Sequence, residues 1–119
     1  MAVLYPQFTD PNVTKPHKEY TIDEIHDLVS CYGNAAKLAQ AQYDMIELHA
    51  GHRHGLGCFM SPLTNRRKDE YGGSVEKRAR ILYEIVSDIQ KKCGKSFPII
   101  VRLNGIDGPG VLHHEAAVR

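Results

Sequence analysis

Apolar residues recur at spacings of three and four through Ile25, Leu28, Val29, Tyr32, Ala36 and Ala39, while Asp27, Asn34 and Lys37 fall off that stripe. The spacing predicts a helix that buries one face. Thr21 starts it, because Thr-Ile-Asp-Glu places Glu24 at the third helical position of a capping box. Gly33 costs about 1 kcal/mol against alanine inside this helix without ending it. A second stripe, Ala79, Leu82, Ile85, Val86 and Ile89, follows Ser74 as cap. Glu76 faces the positive end of that helix, Lys91 and Lys92 sit in its last turn, and Gly94 suits a left-handed end. Two short apolar runs, Met45-Ile46-Glu47-Leu48 and Pro98-Ile99-Ile100-Val101-Arg102-Leu103, read as largely buried strands. Pro98 takes a first position, where a missing donor is tolerated. Glu47 is the odd member of the first run, a carboxylate that calls for a partner.

Residues 112–119 read as the opening of a third helix, and residues 1–20, with Pro6, Pro11 and Pro16, as a loop or extended arm. The order helix, strand, helix, strand, helix start makes residues 21–119 an α/β unit with parallel strands and a right-handed crossover. Residues 50–73 lack sustained periodicity and are rich in glycine and charge, the mark of a loop kept long by function.

Composition narrows the setting. A chain of 119 residues fits one domain, and 42% hydrophobic with 24% charged residues is ordinary for a soluble globular protein. A net charge of +1, with neither sign gathered in a block, points away from nucleic acid and anionic membrane surfaces. No apolar run approaches the roughly 20 residues that span a bilayer, and the N-terminus has no secretory pattern. Cys31, Cys58 and Cys93 are far apart without ligand spacing, which suits a reducing, cytoplasmic location.

The chemistry gathers at the strand ends. His49 closes the first strand, His52 and His54 lie just beyond it, and Arg102 sits near the carboxyl end of the second. In parallel α/β folds the loops at those ends converge on one cavity, so all four share a rim. Imidazole donors and a permanent guanidinium charge together suit an anionic intermediate. Other readings compete. A histidine can be a structural residue, and Arg102 can partner a buried carboxylate. His-x-x-His-x-His can bind a metal, but Glu47 is expected on the face opposite His49, leaving no carboxylate to complete the set. The run Asn65-Arg66-Arg67-Lys68-Asp69-Glu70-Tyr71 reads as a solvated loop face. Gly72-Gly73-Ser74 lacks both phosphate-loop patterns.

One longer signature stands out: Ile46-Glu47-Leu48-His49-Ala50-Gly51-His52, then Phe59-Met60-Ser61-Pro62-Leu63-Thr64-Asn65-Arg66-Arg67, Asp69-Glu70-Tyr71-Gly72-Gly73-Ser74 and Arg78-Ala79-Arg80. It resembles the centre of the Old Yellow Enzyme family of NADH:flavin oxidoreductases, without gaps from about Tyr43 to Leu103. The resemblance implies an FMN-dependent (β/α)₈ TIM barrel that takes hydride from NADH or NADPH and passes it to a small molecule with an activated C=C, such as an enone or enoate. It implies that His49 and His52 hydrogen-bond the substrate carbonyl, and that Arg102 lies by the flavin pyrimidine edge. His54 stands where the family commonly carries a tyrosine that protonates the substrate, and an imidazole would make that step more pH-sensitive than a phenol. Cys58 replaces a common glutamine, and residues 53–57 also depart from the usual loop. A complete barrel needs about 250 residues, and this chain matches the third helix through the fifth strand and the start of the next helix. The expectation is therefore an oxidoreductase section inactive in isolation, whose open sheet edges favour self-association or pairing with the missing barrel portion. The alternatives are a truncated, non-catalytic module held by another chain and a His-rich metal-binding protein.

Overall fold

The computed structural model describes residues 19–106. The expected arm, apart from Glu19 and Tyr20, and the expected third helix lie outside the described residues. The elements are α1 (Ile22–Ala39), β1 (Ile46–Ala50), α2 (Leu56–Met60), α3 (Val75–Cys93) and β2 (Ile99–Leu103).

Thr21 caps α1 reciprocally: its Oγ1 accepts from the Glu24 amide at 3.2 Å, and Glu24 Oε2 accepts from the Thr21 amide at 2.8 Å. Two orphan donors are satisfied before any tertiary contact forms. Gly33 now has a reason. A Cβ there would run into the Asp88 carboxylate of α3, which Lys92 holds at 2.7 Å. Lys92 Nζ also donates to the Ser30 carbonyl at 3.2 Å, and Gln40 Nε2 donates to the Cys93 carbonyl at 2.8 Å. Helix propensity at residue 33 is given up for close approach of α1 and α3.

In α3, Ala79, Ile85 and Ile89 are buried as their spacing predicts. Ile81, off that stripe, is completely buried too, while Leu82 and Val86 are only partly covered. The helix meets both α1 and α2, so its buried arc is wider than one stripe.

The strands pair in parallel from Ile46 opposite Ile99 to Ala50 opposite Leu103. They are not largely buried. Leu48 and Ala50 enter the core with Ile81, Ile85 and Ile89, whereas Glu47, His49, Ile100 and Arg102 are exposed on the other face. Glu47 therefore shares a face with His49, because residues two apart in a strand point the same way. Its carboxylate stays in solvent and escapes the desolvation that would demand a partner.

Residues 50–73 are also more ordered than their pattern suggests. All five residues of α2 are buried, in a helix too short and too uniformly apolar to display a period. Its last carbonyls are met by side chains: Thr64 Oγ1 donates to Cys58 O at 2.8 Å, Asn65 Nδ2 to Phe59 O at 2.7 Å, and Arg78 Nε to Met60 O at 2.9 Å.

The charge run is a solvated face only in part: Arg66 and Lys68 are exposed, whereas Asn65, Arg67 and Tyr71 are buried. Arg67 is 7% exposed, with Nη1 donating to Tyr20 O at 2.7 Å and Nη2 to Asp69 Oδ2 at 2.6 Å. The hydrogen bond from Arg67 holds the Asp69 carboxyl below the usual carboxylate range, against the opposing effect of burial. Asn65 Nδ2 also donates to Tyr71 O at 2.7 Å, and Asn65 Oδ1 accepts from the Arg67 amide at 3.0 Å. Residues that look hydrophilic in sequence serve here as internal fasteners.

Candidate functional site

Strand alternation and register assemble the site. His49 and Arg102 are paired residues of β1 and β2, so both stand on the exposed face. Adjacent strands lie about 4.8 Å apart, so the two side chains rise from neighbouring backbone positions. Among the described residues no carboxylate or other polar group engages Arg102. Arg102 is exposed, so among the described residues it is not the partner of a buried carboxylate.

Beyond β1 the chain turns so that the histidines converge. The ring centroids of His49 and His52 are 5.2 Å apart with planes inclined by 51°, and those of His49 and His54 are 6.3 Å apart, nearly edge to face. The turn needs unusual backbone: His52 and Arg53 have φ of 55° and 56°. Such left-handed conformations are uncommon for residues with a Cβ.

Several contacts hold them. The His52 amide donates to Asn104 Oδ1 at 2.8 Å, Cys58 Sγ donates to Arg53 O at 2.7 Å, and the Gly57 amide donates to His54 O at 2.8 Å. A Cβ at Gly57 would fall 2.6 Å from Gly51 O, so the start of α2 can approach β1 this closely only with glycine there. The four residues named by the sequence, His49, His52, His54 and Arg102, are thus brought to one strand end. Asn104 was not among them, since nothing local marks an asparagine after a strand as a contact for a residue 52 positions earlier.

Among the described residues, no three His, Cys, Asp or Glu side chains are grouped so as to hold a metal ion. Glu47 shares the histidine face but does not complete such a group. The Gly72-Gly73-Ser74 turn is occupied with structure: Ser74 Oγ accepts from the Lys77 amide at 3.4 Å, and the Gly73 carbonyl accepts from Arg78. The guanidinium of Arg102 and the apolar Ile100, 46% exposed, share this face with His49.

The model of the NADH:flavin oxidoreductase / NADH oxidase family matches residues 4–112. The chain is 45% identical over 92 residues to an NADH oxidase of Thermoanaerobacter brockii, covering 76% of this chain and 14% of that one. It is 40% identical over 87 residues to a cinnamate reductase of Clostridium sporogenes, covering 71% and 13%. The crystal structure of Old Yellow Enzyme from Pichia sp. AKU4542 superimposes with a TM-score of 0.68 at 36% identity, over 72% of this chain and 22% of that one. The chain therefore spans less than a quarter of the length of each of these proteins.

Proposed function

Because the chain belongs to the NADH:flavin oxidoreductase / NADH oxidase family, we propose that it forms the substrate-binding section of an FMN-dependent (β/α)₈ barrel. That barrel reduces the activated double bond of an enone or enoate at the expense of NADH or NADPH. The observation that carries the reading is the convergence of the His52 and His54 rings on His49, which is paired with the exposed Arg102 across the two strands. Bound FMN would supply the hydride, received beforehand from the nicotinamide.

The chain's own residues act around that step. His49 and His52 donate hydrogen bonds to the substrate carbonyl oxygen, where negative charge develops, and donors fixed beforehand need not reorganise as it appears. Arg102 holds a positive charge at the polar edge of the flavin ring and favours its electron-rich form. His54 delivers a proton to the substrate carbon next to the carbonyl, in place of a phenol. The name of the cinnamate-reducing relative accords with a conjugated acid or carbonyl as substrate.

The test is a graft. The segment carrying β1 through β2 replaces its counterpart in the Thermoanaerobacter NADH oxidase, and NADH consumption is followed with 2-cyclohexenone. Changing His49→Ala together with His52→Ala should lower enone-dependent turnover at least a hundredfold while flavin stays bound. Loss of flavin with the histidines, or turnover indifferent to them, would sink the assignment.

A second reading, a non-catalytic module whose exposed strand face docks on another chain, draws on the exposed Ile100 at 46%. The graft separates the two: enone-dependent NADH consumption that needs His49 and His52 favours catalysis, and a grafted barrel that binds flavin but reduces no 2-cyclohexenone favours the module.

A further inference from the structure

We propose that Asn104 is a positioning residue: its side chain fixes the left-handed His52-Arg53 backbone and thereby sets the His49–His52 ring pair. The importance of that pair rests on the substrate-binding reading above. Two consecutive residues with φ near 55° and a Cβ each are disfavoured in an unrestrained chain, so a contact from outside the loop must hold them. Asn104 provides one, accepting the His52 N–H at 2.8 Å from the far strand. Only the amide oxygen can meet an N–H donor, so the orientation of the Asn104 side chain is determined.

Gly51 leaves room for this contact. A Cβ there would stand 3.0 Å from Asn104 Oδ1, close enough to push the acceptor aside by a few tenths of an ångström. Asn104 follows Arg102 by two residues, and Arg102 is paired with His49 across the sheet. The end of β2 therefore holds the histidine group at two points: backbone pairing places His49, and the Asn104 amide places His52. With the second point removed, His52 and Arg53 are free to relax toward negative φ, and the 5.2 Å ring contact opens.

The test uses the 119-residue chain labelled with nitrogen-15 and needs no substrate, so it can succeed or fail independently of the hydride-transfer reading. Asn104→Leu removes the acceptor at similar volume, and Asn104→Asp keeps an oxygen in its place. Amide exchange at His52 should quicken about tenfold in the leucine variant. The nuclear Overhauser contact between the His49 and His52 rings should vanish, with exchange at Leu48 and Ala50 unchanged. The aspartate variant should restore both signals. Equal His52 exchange in all three proteins, or a ring contact that survives in Asn104→Leu, would overturn the proposal. Should Asn104→Leu also lose the core signals, the aspartate variant decides, and loss of His52 protection there counts against it.

Discussion

Replacing Tyr71 with phenylalanine tests how the loop between β1 and α3 is held down. Tyr71 is completely buried, and its hydroxyl donates to Glu84 Oε2 at 2.8 Å. Glu84 also accepts from Arg80 Nε at 2.9 Å and is 30% exposed, so water can replace the lost donor. A hydrogen bond to a charged group contributes roughly 1.5–3 kcal/mol, and partial exposure of the acceptor brings the expected cost of Tyr71→Phe near pH 7 to about 1–2 kcal/mol.

The pH dependence is more telling than the cost. Burial first, and the hydrogen bond to Glu84 second, push the Tyr71 hydroxyl from 10.0 up to about 12. The folded protein thus holds this proton more tightly than the unfolded chain does. That stabilisation is complete below pH 10 and is lost as the pH rises through 12, a total on the order of 2–3 kcal/mol. Urea unfolding of both proteins from pH 8 to 12 should therefore show Tyr71→Phe the weaker at pH 8, with the gap shrinking to nothing or reversing by pH 12. Other tyrosines and lysines titrate in the same range but cancel in the difference. Parallel curves for the two proteins would refute the claim that Tyr71 is the desolvated, proton-holding group.

Other substitutions probe the remaining fasteners. Asn65→Leu strands the carbonyls of Phe59 and Tyr71 and the Arg67 amide together, and should cost about 3 kcal/mol or more in thermal unfolding. Gly33→Ala should destabilise by about 1–3 kcal/mol despite the gain in helix propensity, since its methyl meets the Asp88 carboxylate. If steric overlap is the cause, that cost falls in an Asp88→Ala background, and an unchanged cost in that double-mutant cycle would reject it. Asp69, held low by Arg67, contributes stability above the ordinary carboxylate range that fades as acid protonates it. Asp69→Asn should therefore flatten the acid limb of a stability profile. In the grafted enzyme, His54→Phe should lower enone reduction at least about a hundredfold while flavin stays bound, since the ring that delivers the proton is gone. Unchanged turnover would remove His54 from proton delivery.

Local rules account for much of this fold. The capping box at Thr21, the cap at Ser74, the glycine after α3 and the two apolar runs are decided by residues within a few positions of one another, so they are legible in the chain itself. The histidine group was legible too, because a strand end collects whatever side chains stand there, and the resemblance supplied a chemistry for it. Position in space was another matter. Glu47 shares a face with His49 and does not take the opposite one, since residues two apart in a strand point the same way.

Burial of Asn65, Arg67 and Tyr71 was beyond any local pattern: Asn65 meets the Phe59 carbonyl of α2, Arg67 the Tyr20 carbonyl before α1, and Tyr71 the Glu84 carboxylate of α3. The same holds for Gly33, whose value lies in a helix 55 residues further on, and for Asn104, which reaches back to His52. The sequence by itself determined α1, α3, β1 and β2, though not the short α2, and which side chains are candidates for chemistry. Tertiary structure alone decided which of those side chains meet, because strand register and helix approach depend on contacts between residues far apart in the chain.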